Sequence, residues 1–144
     1  MFLITGANGQ LGLCLKDLLG QNGAIYTDAA DLDITDFAAL EAFAEKHLFE
    51  AIINCAAYTN VDKAEDEPEL ARQINALGPA NLARLSARLQ IPLVHVSTDY
   101  VFDGRAHTPL REDDPVRPLG VYGQTKREGE EAVLQLAHTA AVVR

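Results

Sequence analysis

Tyr122 and Lys126 are the residues in this sequence whose types and spacing most directly suggest acid–base chemistry. Side chains four residues apart lie on one face of a helix, so the phenol and the ammonium would be neighbours. A nearby positive charge favours tyrosinate, and we therefore expect Lys126 to lower the pKa of Tyr122. Such a tyrosine can exchange a proton with a carbonyl or alcohol oxygen near neutral pH. Because helices also carry this spacing by chance, the pair gains meaning only from its surroundings.

A glycine-rich turn, with Gly6, Gly9 and Gly12 three residues apart, follows the first apolar run and precedes a helical pattern. Glycine suits a place where the chain reverses tightly, approaches a pyrophosphate and packs a helix close to a strand. The helix N-terminus then presents free N–H groups and the positive end of its dipole to the phosphates. Strand, turn and helix together predict a dinucleotide site, and the alternative is a turn that is only structural.

Polar or small residues also follow the next three predicted strands, where open parallel sheets bind ligands. Asp28 follows the second strand and Asp33 comes shortly after, which indicates contact with an adenosine ribose. Carboxylates there disfavour a 2′-phosphate and so favour NADH, although solvated loop acids are the competing interpretation. Ala57, after the third strand, would let the backbone approach the cofactor. Thr98 or its neighbour Ser97, after the fourth strand, offers a hydroxyl to a substrate oxygen.

The elements that must position these residues alternate along the chain as apolar strands and amphipathic helices. Five strands are predicted, at 2–4, 25–27, 51–55, 93–97 and 140–143. Asp36 is expected to cap the second helix, Pro79 to kink or interrupt a long third helix, and the last helix to run over about 121–136. Repeated strand–helix units predict the α/β class, as a Rossmann-type doubly wound parallel sheet with helices on both faces. Residues 1–144 would form one NAD(P)-binding domain.

Composition argues against several other classes of protein. The 144 residues are 48% hydrophobic and carry a net charge of −9, so a globular core is expected and nucleic acid is disfavoured as a partner. No apolar run approaches the roughly 20 residues that cross a membrane. Cys14 and Cys55 are predicted to be buried, reduced thiols in a cytoplasmic protein. The four histidines are scattered, so no metal site is expected, and the acidic run 62–69 is interpreted as a solvated loop and helix start.

Four motifs occur in order along the whole chain: GANGQLG from Gly6, CAAYTNVDKAE from Cys55, VSTDYVFDG from Val96 and VYGQTK from Val121. Together they resemble the dTDP-4-dehydrorhamnose reductase family, a branch of the extended short-chain dehydrogenases/reductases. The resemblance implies the cofactor-binding residues Gly6, Gly9, Gln10, Leu11, Gly12, Asp28, Asp33, Ile34, Ala57, Tyr58, Thr59, Tyr122 and Lys126. It also implies that Thr98 and Asp99 contact the sugar nucleotide. Thr98, Tyr122 and Lys126 would be catalytic, and Asn75 would support the lysine through water.

The reaction implied by the resemblance is reduction by NADPH or NADH of the 4-keto group of dTDP-4-dehydro-L-rhamnose, a thymidine diphosphate-linked sugar. Two alternatives stay open. One is a non-catalytic NADP-binding regulatory subunit of the methionine adenosyltransferase type, and the other is a different nucleotide-sugar epimerase or reductase. Full family members are longer, so we expect residues 1–144 to be the N-terminal part of a longer protein without its substrate domain. A homodimer is one option for its assembly.

Overall fold

Five short apolar segments form the centre of the structure, a computed structural model that describes residues 1–144. The strands are β1 (Phe2–Thr5), β2 (Ala24–Thr27), β3 (Ala51–Asn54), β4 (Pro92–Val96) and β5 (Thr139–Val143). All pairs are parallel, in the order β2-β1-β3-β4-β5. β2 therefore lies on one side of β1 and β3 lies on the other, so the order of the strands reverses at β1. A crevice is expected at such a reversal, outside the carboxyl ends of the strands.

The helices lie between the strands in the predicted alternation. They are α1 (Gln10–Leu19), α2 (Phe37–Ala44), α3 (Val61–Asp66), α4 (Pro68–Arg72), α5 (Gly78–Leu89) and α6 (Val121–Leu136). The predicted cap of α2 is confirmed, because the Asp36 carboxylate accepts a hydrogen bond of 3.0 Å from the Ala39 amide. The predicted span of α6 is confirmed as well. None of the helices has the length and apolar character needed to cross a membrane.

Helices cover both faces of the sheet, as predicted. Successive strand residues point to opposite faces. Leu3 belongs to the larger apolar cluster, which includes residues of α2, α5 and α6. Ile4 belongs to a smaller cluster, against which Leu15 and Leu19 of α1 pack. The class is therefore the predicted doubly wound α/β arrangement, with more helical cover on one face than on the other.

The region after β3 differs from the prediction of a polar loop followed by one long helix. Residues 61–66 are helical, so the interpretation of this acidic stretch as a solvated loop was wrong for α3. The expected interruption near Pro79 is present, as a π-helical segment over Gln73–Leu77. Pro79 has no N–H to offer the carbonyl of Asn75, four residues earlier, and this loosens the turn. Such wide turns are frequent at functional sites, and Asn75 lies at the centre of this one.

Candidate functional site

The glycine turn brings three parts of the chain closer together than any side chain would allow. Gly6 has a φ of +66°, and a Cβ there would lie 2.5 Å from the Ala56 amide nitrogen. A Cβ on Gly12 would lie 2.5 Å from the Ala7 Cα. The turn therefore presses against the chain after β3, and α1 packs against the turn. α1 begins after Gly9 without a side-chain cap, which leaves its first N–H groups available to a ligand.

A crevice of about 420 Å³ opens beside this turn, at the carboxyl ends of β1 and β3. Seven predicted cofactor residues line it: Gly6, Gly9, Asp28, Asp33, Ile34, Ala57 and Thr59. The sequence reasoning missed other lining residues, among them Leu32, Thr35, Leu70 and Ile74. Most of the residues missed here are apolar or small, and only the fold places them against a cavity.

Not every predicted cofactor residue lines this crevice. Gln10, Leu11 and Gly12 belong to the first turn of α1, Tyr122 and Lys126 belong to α6, and Tyr58 follows β3 without lining the crevice. Asp99, a predicted substrate residue, lines a different cavity of about 600 Å³ beside the end of β5. Seven of the predicted residues therefore line the crevice, and the other predicted residues lie outside its lining.

The two aspartates of the crevice are both fixed by local hydrogen bonds. The Asp28 carboxylate accepts from the amides of Asn8, at 3.0 Å, and Ala29, at 2.7 Å. This joins the end of β2 to the glycine turn. The Asp33 carboxylate accepts from both the amide and the hydroxyl of Thr35, each at 2.8 Å. Both side chains are thus held in place, so the negative charge in this part of the crevice has a defined position.

Lys126 is the buried cation among the predicted residues outside the crevice lining. Its ammonium donates a hydrogen bond of 2.7 Å to the Val96 carbonyl at the end of β4. Burial lowers the pKa of Lys126 to about 8, and the negative charge of Glu130 opposes this effect. Cys55, which lines the crevice, is also close: burial raises the pKa of its thiol, and the Lys126 charge partly offsets that rise. Cys55 therefore links the crevice to the lysine.

Tyr122 differs from the prediction in its ionisation. Burial raises its pKa, and the nearby Thr98 side chain lowers it in part. Asp99 and Tyr100 add to the rise. The expectation that Lys126 lowers this pKa was wrong, because the ammonium is directed to a strand carbonyl rather than to the phenol. In this structure Tyr122 is a proton-bearing group next to a hydroxyl, and it would act as an acid rather than as a preformed tyrosinate.

Asn75 makes three direct hydrogen bonds within the protein. Its side-chain oxygen accepts from the Tyr58 amide at 2.8 Å, and its nitrogen donates to the Tyr58 carbonyl at 3.1 Å and to the Thr125 hydroxyl at 3.2 Å. Both amide hydrogens are therefore used, and Asn75 reaches Lys126 only through the preceding residue of α6. It locks the backbone at Tyr58, one of the predicted cofactor residues, to the helix that carries Tyr122.

A comparison with known protein families identifies the family of this chain. The sequence model of the family described as the RmlD substrate binding domain matches residues 1–144. The chain belongs to this family. It is 47% identical to a dTDP-4-dehydrorhamnose reductase of Streptomyces griseus over 99% of this chain and 48% of that protein.

Two solved structures of dTDP-4-dehydrorhamnose reductases are also similar. That from Clostridium acetobutylicum is 48% identical, with a TM-score of 0.94 over 99% of this chain and 52% of that one. That from Bacillus anthracis, in complex with NADP, is 39% identical, with a TM-score of 0.95 over the same shares. The chain spans about half the length of the relatives it matches.

A buried hydrogen-bond network, which was not predicted from the sequence, runs beneath this site. The Thr5 hydroxyl donates to the Asn54 side-chain oxygen at 2.7 Å, and the Asn54 nitrogen lies 2.9 Å from His95 Nδ1. Asn54 also accepts from the Ala56 amide at 3.0 Å. Burial lowers the pKa of His95 to about 3, so the ring is neutral. The network joins the ends of β1, β3 and β4 and so fixes the floor of the crevice. A lone polar residue closing an apolar strand was its only sequence signal.

Proposed function

We propose that this chain forms the dinucleotide-binding part of an NAD(P)H-dependent oxidoreductase that reduces the 4-keto group of dTDP-4-dehydro-L-rhamnose to give dTDP-L-rhamnose. The observation that carries the proposal is that Tyr122 lies near Thr98, just after β4, and that the buried Lys126 bonds to the Val96 carbonyl at the carboxyl end of β4, which is the edge of the sheet where the glycine-turn crevice opens. The relatives named dTDP-4-dehydrorhamnose reductase support this choice of sugar nucleotide.

The crevice has the features that a dinucleotide requires. Gly6 and Gly9 line the crevice beside the uncapped N-terminus of α1, whose free N–H groups and dipole favour a negatively charged pyrophosphate. The Asp28 carboxylate is positioned to accept hydrogen bonds from a ribose. Ile34 contributes an apolar surface suited to adenine. When bound, NADH or NADPH would supply the hydride for reduction, and the NADP complex of the Bacillus anthracis relative supports this cofactor class.

The residues of the chain supply the proton and the charge that reduction of a ketone needs. Tyr122 holds its proton at neutral pH, because burial raises its pKa, and it would donate that proton to the C4 oxygen of the sugar. Thr98 would donate a hydrogen bond to the same oxygen and align it. Lys126, with a pKa of about 8, is largely an ammonium near neutral pH and would donate hydrogen bonds to ribose hydroxyls of the cofactor. One proton leaves Tyr122 and one alcohol forms.

The proposal also covers location and assembly. A cytoplasmic protein is supported by two free cysteines, Cys14 and Cys55, neither of which forms a disulfide. The expectation that both are buried was wrong for Cys14, which lies exposed. A homodimer is one option for its assembly. Sedimentation analysis would distinguish a dimer from a monomer.

The test is an absorbance assay of NADH and NADPH loss with dTDP-4-dehydro-L-rhamnose, run on the full-length natural protein and on Tyr122→Phe. We expect turnover in the parent and a loss of at least about 100-fold in the variant, the usual contribution of a positioned acid. Tyr26→Phe is the matched control, because the Tyr26 hydroxyl bonds to the Gly20 carbonyl, at the other end of α1 from the glycine turn. Cofactor binding without turnover in the parent would favour a regulatory subunit or another sugar substrate.

A further inference from the structure

The N-terminus of α6 receives its cap from a distant part of the chain. Gly120 precedes the helix and has no side chain to offer. The Val121 amide instead donates a hydrogen bond of 2.8 Å to the carboxylate of Glu65, a residue of α3. An acceptor here satisfies one of the amides that a helix leaves unpaired, and its negative charge suits the positive end of the helix dipole.

Gly120 and Glu65 fit one another. The backbone of Gly120 is extended, with φ −117° and ψ 170°, so any residue could adopt it. A Cβ at this position, however, would lie 2.7 Å from Glu65 Oε1, and the only other atom within 4 Å is in the same carboxylate. The requirement for glycine therefore comes from Glu65 alone. A side chain at 120 would displace the carboxylate and remove the cap.

The α3 segment that carries Glu65 is itself held firmly. Ala64 is fully buried, and the Asn60 side chain caps the helix by accepting from the Lys63 amide at 3.1 Å. Glu67, just past the end of α3, accepts a hydrogen bond of 2.7 Å from the Tyr58 hydroxyl. The same short segment therefore contacts the start of α6 on one side and a predicted cofactor residue on the other.

We propose that Glu65 is a positioning residue for Tyr122, the second residue of α6: by capping the preceding amide it sets the first turn of the helix and keeps the phenol in register with Thr98 at the end of β4. Loss of the cap frays this turn, because the amides of a first turn have no intrahelical partner. The consequence is a misplaced proton donor in a protein that is otherwise folded. For its activity readout this inference rests on the proposed function.

The experiment is a double-mutant cycle in the full-length natural protein with Glu65→Ala, Gly120→Ala and both together. Each single change is expected to lower Tm by about 3 °C, the usual effect of losing a cap in a domain of this size. The double variant should be no less stable than Glu65→Ala, because the clash at 120 disappears with the carboxylate. Glu65→Gln keeps an acceptor oxygen and should restore most of the stability. Asp66→Ala removes a neighbouring charge on α3 as the matched control.

Two further readouts separate positioning from mere stability. Both single variants should lower kcat about tenfold with little change in the KM for NAD(P)H, since the crevice is unaltered. The ultraviolet titration of Tyr122, taken as the difference from Tyr122→Phe in each background, should move in Glu65→Ala and return in Glu65→Gln. The inference would be overturned if the Tm losses of the two single variants were additive in the double variant, or if Asp66→Ala lost as much stability as Glu65→Ala. It would also be overturned if Glu65→Ala changed neither kcat nor the titration of Tyr122. A parent without reductase activity would refute the proposed function only, because the cycle and the titration still judge Glu65.

Discussion

The burial of Lys126 gives a prediction about stability whose sign and size follow from the structure. Its pKa falls from 10.5 to about 8 in the folded protein, which corresponds to about 3 kcal/mol at about 1.4 kcal/mol per pH unit. Below about pH 8 the side chain is charged in both the folded and the unfolded states, so this cost is fully present. Between about pH 8 and 10.5 only the unfolded chain holds the proton, and stability therefore rises with pH.

Lys126→Met removes this titration and nearly preserves the length of the side chain. We expect the free energy of unfolding of the parent, minus that of the variant, to increase by about 2 to 3 kcal/mol between about pH 7 and pH 10. The change with pH is the quantity to measure. The offset at a single pH also contains the lost hydrogen bond to the Val96 carbonyl.

Urea unfolding of both proteins at several pH values measures this difference, and other titrating groups cancel in the subtraction. Lys46→Met, at an exposed site two residues past the end of α2, is the matched control and should give a flat difference. A parent-minus-variant difference that is equally flat for Lys126 would show that the ammonium is not held in a low-dielectric environment. The reasoning about its charge in the site would then fail.

Three further predictions concern the glycine turn, the cofactor preference and the buried ion pair. Gly6→Ala forces a Cβ to within 2.5 Å of the Ala56 amide at a positive φ, and should weaken NADH binding at least about tenfold in a fluorescence titration; unaltered affinity would contradict the close approach. Asp28→Asn removes the charge that repels a 2′-phosphate, and should raise the NADPH-to-NADH affinity ratio about tenfold by calorimetry; an unchanged ratio would place the carboxylate away from the ribose. Glu130→Gln leaves the buried partner of Arg144 neutral, and should cost about 3 kcal/mol of unfolding free energy in urea; a loss below about 1 kcal/mol would mean that the pair is solvated.

Local sequence determined the elements and much of the crevice. The glycine spacing predicted a strand, a tight turn and a helix, because only glycine tolerates the positive φ and the close contact at Gly6. Apolar runs predicted all five strands, and a short-range rule placed Asp36 as a helix cap. These features depend on residues a few positions apart, so the chain alone specifies them.

Contacts between distant residues were decided only by the tertiary structure. The phenol of Tyr122 has a raised pKa rather than a lowered one, because folding buries it and directs the Lys126 ammonium to the Val96 carbonyl. Glu65, interpreted as part of a solvated acidic run, caps a helix that starts 56 residues later. Desolvation and hydrogen-bond direction depend on which residues pack around a group, and the spacing of residues along the sequence does not determine those neighbours. The sequence therefore determined which chemical groups this protein has, and the packing of its elements decided their protonation and their partners.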